Sequence, residues 1–222
     1  WFTVVGGARN YVNAIAKDLD DVRLSCPVLR IDRDATGVTV QTAHGKERFD
    51  QVVIAVHADQ ALAMLGDPSD SESRLLGAIR FERNRAVLHT DVTQMPRAKK
   101  AWAAWNYERA GVARDASSVC LHYWLNRLQP LPFTPDVFVS LNPVRQPAPN
   151  LVLAEIDYEH PIFDVHAIQA QSQLHWLKSQ PRTHFAGAWM GYGFHEDGLQ
   201  SGLQAANSVL SSLRRNWAIA AA

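Results

Sequence analysis

Apolar positions define the first elements. From Tyr11 to Leu19, Val12, Ile15, Ala16 and Leu19 recur at helical spacing on one face and predict an amphipathic helix. Cys26-Pro-Val-Leu-Arg-Ile-Asp reads as a strand, Asp34-Ala-Thr-Gly37 as a turn, and Val38-Thr-Val-Gln-Thr alternates as a second strand. His44-Gly45 turns the chain again before a third strand at Lys46–Phe49. Tight polar turns between such runs predict an antiparallel meander. The alternation then stops. Val52 to Val56 is continuously apolar, as expected of a strand buried on both faces of a parallel sheet. A helix over Ala58–Leu65 follows. In the polar stretch Asp67-Pro-Ser-Asp-Ser-Glu-Ser, Ser71 is placed to cap a helix running to Ile79.

Residues 81–160 have a different texture. Alternating runs recur at Arg85–Thr90, Trp102–Tyr107, Val119–Leu125, Val137–Leu141 and Leu151–Tyr158, punctuated by proline and asparagine clusters. They predict a mostly antiparallel sheet of about five strands with one exposed face. Trp102, Trp105, Tyr107, Tyr123, Trp124, Phe133 and Phe138 crowd it. Asp164–Ser179 reads as one helix. The closing helix, Asp197 to Trp217, carries the apolar stripe Leu199, Leu203, Ala206, Leu210 and Leu213, expected to face the core. Gly198, Ser201, Gly202, Ala205 and Ala206 keep its first turns thin, which suits close packing of another backbone or of a ligand.

Composition narrows the classes. The chain has 222 residues, 47% of them hydrophobic, enough for one or two domains. With 22 basic and 22 acidic side chains and no long Lys/Arg run, it lacks a nucleic-acid footprint. Cys26 and Cys120 stand far apart, outside any Cys-x-x-Cys pattern, so a reducing, cytoplasmic setting is expected. No apolar run reaches the roughly 18 residues of a membrane span. The opening Trp1-Phe-Thr-Val-Val-Gly-Gly reads as the middle of a domain, and a fragment is expected.

Candidate chemistry concentrates at Thr183-His-Phe-Ala-Gly-Ala-Trp-Met-Gly-Tyr-Gly-Phe-His-Glu-Asp-Gly. A short apolar strand runs into a glycine-rich turn and then into the thin helix. Such a turn presents backbone N–H groups and the positive end of a helix dipole to a ligand. Read as a dinucleotide fingerprint, Gly191-x-Gly193 finds its last glycine, Gly198, too late. His195-Glu196-Asp197 is not His-Glu-x-x-His, so no metal is expected there; Glu196 and Asp197 suit helix capping. Gly-x-Ser-x-Gly is absent. His89, His122 and His160 fall on strands or strand ends, as structural histidines do.

These residues resemble the flavin-containing amine oxidase superfamily, and within it a bacterial branch of predicted NAD/FAD-binding proteins. Gly6-Gly7, Pro27-Val28, Phe49-Asp50-x-Val-Val-Ile-Ala, His89-Thr-Asp, Trp105-Asn106-Tyr107, Leu141-Asn-Pro, His160-Pro161 and Gly193-Phe-His-Glu-Asp-Gly-x-x-Ser-Gly carry the resemblance. It implies an α/β fold of mixed α+β character. A partial Rossmann-like FAD-binding domain (1–66 and 182–222) would enclose a substrate domain (67–181) with a mostly antiparallel sheet and flanking helices.

It also implies roles. Val28 would meet the adenine through its backbone. Gly187, Ala188 and Trp189 would run beside the ribityl chain and pyrophosphate. Gly193, Phe194, His195, Glu196, Asp197 and Gly198 would lie under the flavin pyrimidine ring. The aromatic cluster reads first as a plain sheet-face core; alternatively, as in the substrate domain of relatives, Trp105, Tyr107, Tyr123 and Trp124 would line an apolar pocket for a small or lipid-like substrate, with Asn106 as a polar positioning group. The implied reaction is hydride transfer to FAD, with no catalytic residue assignable. Two departures stand out. Ala188 replaces an acid common in relatives, and the Gly-x-Gly-x-x-Gly loop that would hold the pyrophosphate is missing. A non-catalytic binding or scaffolding module that keeps the fold without flavin is the alternative.

Overall fold

The structure, a computed structural model, describes residues 3–109, 119–132, 134–179 and 182–220. In the first third, the elements in chain order are α1 (Arg9–Lys17), β1 (Val28–Arg33), β2 (Val38–Thr42), β3 (Gly45–Phe49), β4 (Val52–Ile54), α2 (Ala58–Met64) and α3 (Asp70–Gly77). Then come β5 (Phe81–His89), β6 (Trp105–Arg109), β7 (Val119–Trp124), α4 (Leu125–Leu128), β8 (Phe138–Leu141) and β9 (Val152–Pro161). The chain closes with α5 (Val165–Gln171), β10 (Thr183–Phe185) and α6 (His195–Ala220). They form two compact units: Arg23–Glu82 with Pro161–Ala222, and Trp1–Val22 with Arg83–His160.

In the first of these, the meander unit, β1, β2 and β3 form the expected antiparallel sheet, with Ile31 opposite Val40 and Val40 opposite Glu47. Its turn is made locally: the Asp34 carboxylate accepts the N–H groups of Thr36 and Gly37 at 2.7 and 3.1 Å. Strand β4 pairs in parallel with β10, Val53 opposite His184. The two-sided burial expected of this strand is not found. Val53 is 43% exposed, because no described element covers its face, whereas Ile54 is buried in the core. That core gathers Ile31, Leu65, Leu75, Leu76, Phe185 and Trp189.

Helix α3 is capped by Ser69 rather than Ser71. Ser69 Oγ accepts the Glu72 N–H, and Glu72 accepts the Ser69 N–H at 2.8 Å, a reciprocal capping box. The box needs Glu three residues after the cap, which Ser69 satisfies and Ser71 does not. We expect Ser69→Ala to cost about 0.5–2 kcal/mol of stability in urea melts, and Ser71→Ala to be near neutral. The single helix expected over 164–179 is also corrected. Asp164 caps α5 by accepting the Ala167 N–H at 2.9 Å, but the helix stops at Gln171 and a separate 3-10 helix runs from Leu174 to Ser179.

Helix α6 reverses a further expectation. Ser201 and Ala205, on its thin side, are buried, while Leu199, Leu203 and Leu210 are 57%, 49% and 53% exposed. Small residues let α6 approach the turn that follows β10 closely, and the leucine stripe faces away from the unit's own core.

In the five-strand unit the sheet order is β6-β7-β8-β5-β9, and the β6–β7, β7–β8 and β5–β8 pairs are antiparallel. Helix α1 buries none of its residues. Phe133 of the aromatic group lies outside the described residues.

Candidate functional site

The glycine-rich turn is tied down by its own side chains. Trp189 is 4% exposed and donates its indole N–H to the Val56 carbonyl at 3.0 Å, joining the turn to the segment after β4. Gln171 donates to the carbonyls of Trp189 and Gly191 at 2.9 and 2.6 Å. Ser201 Oγ accepts the Gly187 N–H at 2.9 Å. Asp197 Oδ2 accepts the N–H groups of Tyr192 and Phe194 at 3.0 and 2.9 Å, so Asp197 does cap α6. Glu196 instead accepts from Gln200, at 2.7 Å. Two glycines are required here. A Cβ on Gly191 would lie 2.4 Å from Asp197 Oδ1 and 2.9 Å from its Cβ, and Gly193 has φ +87°.

This arrangement redistributes the donors that the sequence suggests. The Phe194 and Gly187 N–H groups are used within the chain. The first-turn N–H groups of His195, Glu196 and Asp197 have no partner among the described residues, and they stand at the positive end of a 26-residue helix. Above them Gly193, Phe194, His195 and Glu196 are exposed, with Asp197 and Gly198 half-buried. Ala188 is half-buried, 3.9 Å from where a Cβ on Gly198 would stand. Val28 packs against the core cluster that holds Trp189, as does Met190. Beside the turn, Gln171, His175, Gly191, Asp197 and Gln204 line an open cleft of about 360 Å³.

The aromatic candidates do not converge in the same way. Strand alternation puts Trp105, Tyr107 and Tyr123 on one face of the five-stranded sheet and Asn106 on the other. Trp105 and Tyr123 meet edge to face at 5.7 Å, and Tyr107 is exposed. Asn106 accepts the Ala103 N–H and donates to the Ala103 carbonyl, at 3.0 and 2.7 Å, so it fixes its own turn. Trp124 shares the Asn106 face and packs edge to face on Trp102 at 5.2 Å.

On that second face lies a group that the sequence reading passes over. His89 Nε2 is 2.7 Å from Ser140 Oγ, and Ser140 Oγ is 2.6 Å from His122 Nδ1. His122 Nε2 is 3.2 Å from Glu108 Oε2 and 3.3 Å from Cys120 Sγ. Burial, reinforced by the neighbouring His122, lowers His89 to about 4 against the opposing pull of Asp91. Burial, with Glu108 adding to it, raises the Cys120 thiol against opposing effects of the Val144 N–H and Arg145. The one sequence signal was Cys120-x-His122, two residues apart on a strand and so on one face.

Residues 1–93 match the family of flavin-containing amine oxidoreductases. Among solved structures, the chain is similar to a candidate protoporphyrinogen oxidase from Exiguobacterium sp. 255-15, with TM-score 0.60 and 16% identity over 94% of this chain and 51% of that one. It is similar to a CLA-producing fatty acid isomerase from P. acnes, with TM-score 0.58 and 14% identity over 89% of this chain and 51% of the other. It is also similar to putrescine oxidase bound to putrescine, with TM-score 0.62 and 13% identity over 93% and 53% of the two chains. No curated protein matches. The chain therefore spans about half the length of these structures. The resemblance to the flavin-containing amine oxidase superfamily holds in sequence over residues 1–93 and in fold over nearly the whole chain. That fold mixes helices with antiparallel sheets. No described helix is long and apolar enough to cross a membrane.

Proposed function

We propose that this chain is the C-terminal part of a cytoplasmic FAD-dependent oxidoreductase of the amine oxidase type. Segments 1–66 and 182–222 would serve the flavin and 67–181 the substrate. The observation that carries the proposal is the strand–glycine turn–helix at Thr183–Gly202, whose first-turn N–H groups at His195–Asp197 have no partner among the described residues. They fit the pyrimidine end of a flavin. When bound, FAD supplies the hydride acceptor for a small or lipid-like substrate, and the protein supplies orientation and electrostatics.

The chain's own contribution is definable. The α6 N-terminus would stabilise negative charge on a bound flavin by roughly 0.3–2 kcal/mol. The N–H groups of His195, Glu196 and Asp197 act as fixed donors that need no reorganisation. Gly193 and Gly198 would leave room for the ring, and Trp189 and Gln171 tie the turn down through their hydrogen bonds. Val28 would meet the adenine through its backbone. The exposed Val53 face and the leucine stripe of α6 also fit a chain that packs against further segments of a longer protein.

A specific observation favours the second reading, a binding or scaffolding module without flavin. Ser201 and Asp197 already occupy the Gly187 and Phe194 donors, and Ala188 offers no acid to the ribityl region. Absorbance spectroscopy separates the two. The longer protein should show the oxidised-flavin band near 450 nm (roughly, for flavins generally) or retain added FAD. Absence of both the band and FAD retention would overturn the oxidoreductase reading. The 222-residue chain itself should retain little or no FAD on gel filtration, because it lacks a pyrophosphate loop.

A further inference from the structure

The buried polar group of the five-strand unit has the composition and spacing of a metal site. Glu108 on β6 faces Cys120 on β7 in register, and His122 follows Cys120 on the same face. One ligand atom from each of the three lies within 4.8 Å of the others. A tetrahedral zinc ion with ordinary sulfur, nitrogen and oxygen bond lengths holds its donors about 3.3–3.6 Å apart. The observed Sγ–Nε2 and Nε2–Oε2 separations are 3.3 and 3.2 Å.

We propose that Glu108, Cys120 and His122 bind one divalent cation of the zinc class, with a fourth position open to solvent. The donor set is mixed sulfur, nitrogen and oxygen, which selects a borderline-soft ion over magnesium or calcium. Cys120 and His122 are almost fully buried, whereas Glu108 is 30% exposed, so the ion enters from the Glu108 side. There Gln94, Asn106, Tyr107 and Arg145 line, with Glu108 and His122, a cleft of about 200 Å³. Three protein ligands beside an open cleft match the pattern in which zinc keeps a water or substrate position.

The surroundings orient the ligands. His122 would bind through Nε2, and its Nδ1 lies 2.6 Å from Ser140 Oγ, a contact that orients the ring. Ser140 is held in turn by His89 at 2.7 Å, and His89 Nδ1 accepts the Asp91 N–H at 3.1 Å, leaving the His89 proton on Nε2. Arg145 lies 3.5 Å from Glu108 Oε1, so Oε2 is the oxygen turned to the site. Binding forms the Zn–S, Zn–N and Zn–O bonds and releases the Cys120 thiol proton to solvent. Thiolate and carboxylate together neutralise the charge of the ion, which makes its burial affordable.

The site belongs to the five-strand unit and does not depend on the flavin reading. The test uses the 222-residue chain, stripped with chelator and titrated with Zn(II) alone by calorimetry, and with Co(II) to read the sulfur-to-cobalt charge-transfer band. We expect one equivalent of Zn(II) and a charge-transfer band. Both should be kept by Cys26→Ser and lost by Cys120→Ser. Ser140→Ala should weaken binding by about 10–100-fold. Because a core change at Cys120 can disturb folding, Glu108→Gln provides the second variant. Its partly exposed side chain leaves packing intact by circular dichroism, and Zn(II) binding should fall at least tenfold. Absence of stoichiometric binding, or binding unchanged in folded Cys120→Ser or Glu108→Gln, overturns the proposal.

Discussion

Glu72→Ala will destabilise the meander unit by about 3–5 kcal/mol, measured as the shift of its urea transition followed by circular dichroism. Glu72 is fully buried and receives a two-pronged ion pair from Arg33 at 2.6 and 3.0 Å. Arg33 is nearly as buried and reaches Asp67 at 3.1 Å. Removing Glu72 strands that guanidinium beside one exposed carboxylate and also opens the α3 capping box. Replacing both partners, as Arg33→Met with Glu72→Leu, should recover most of the loss, since apolar packing commonly matches a buried pair. A loss below about 1 kcal/mol, the range of exposed pairs, would show that the pair is solvated.

The same pair sets an acid limit. Burial alone would raise Glu72, but hydrogen bonds from Arg33 and the Ser69 N–H, and the Arg33 charge, outweigh it and lower Glu72 from the ordinary 4.5. A carboxylate held lower in the folded state binds its proton more readily when unfolded, so stability rises with pH. The contribution is complete above about pH 4.5 and is lost as pH falls through the folded value. Glu72→Gln should accordingly lose stability at neutral pH and converge on the parent chain in acid.

Local chemistry was legible in the sequence, and partnership was not. The meander could be read because Asp34 and Gly37 write their turn into four consecutive residues. The glycine turn could be read because Gly191 and Gly193 have no other economical use. The leucine stripe of α6 was read correctly as apolar and wrongly as inward. Periodicity tells which side of a helix avoids water; it does not say whether the cover lies within these residues. The split of the aromatic candidates follows a rule already present in the sequence, since Asn106 between Trp105 and Tyr107 alternates to the other face of a strand. Glu108, Cys120, His122, Ser140 and His89 needed the register of four strands before they became neighbours. No single segment carries that signal.

Trp189 offers the second large effect. Trp189→Ala should cost about 3–5 kcal/mol, the range for truncating a buried aromatic. Trp189→Phe should cost about 1–3 kcal/mol, mainly from leaving the Val56 carbonyl without its donor. The two variants separate packing from the hydrogen bond that joins the turn to the segment after β4. Their functional consequences differ by location. Trp189 lies beneath Gly187–Gly191, whereas the open donors at His195–Asp197 depend on Asp197 and Gly191. If the turn positions flavin, FAD affinity in the longer protein should fall in Trp189→Phe by more than its loss of global stability explains, because the variant still folds but no longer holds the turn against β4. Urea melts and flavin titration on the same preparations measure both quantities. Unchanged affinity in a folded Trp189→Phe would confine this tryptophan to the core and move the weight of the site to the α6 N-terminus.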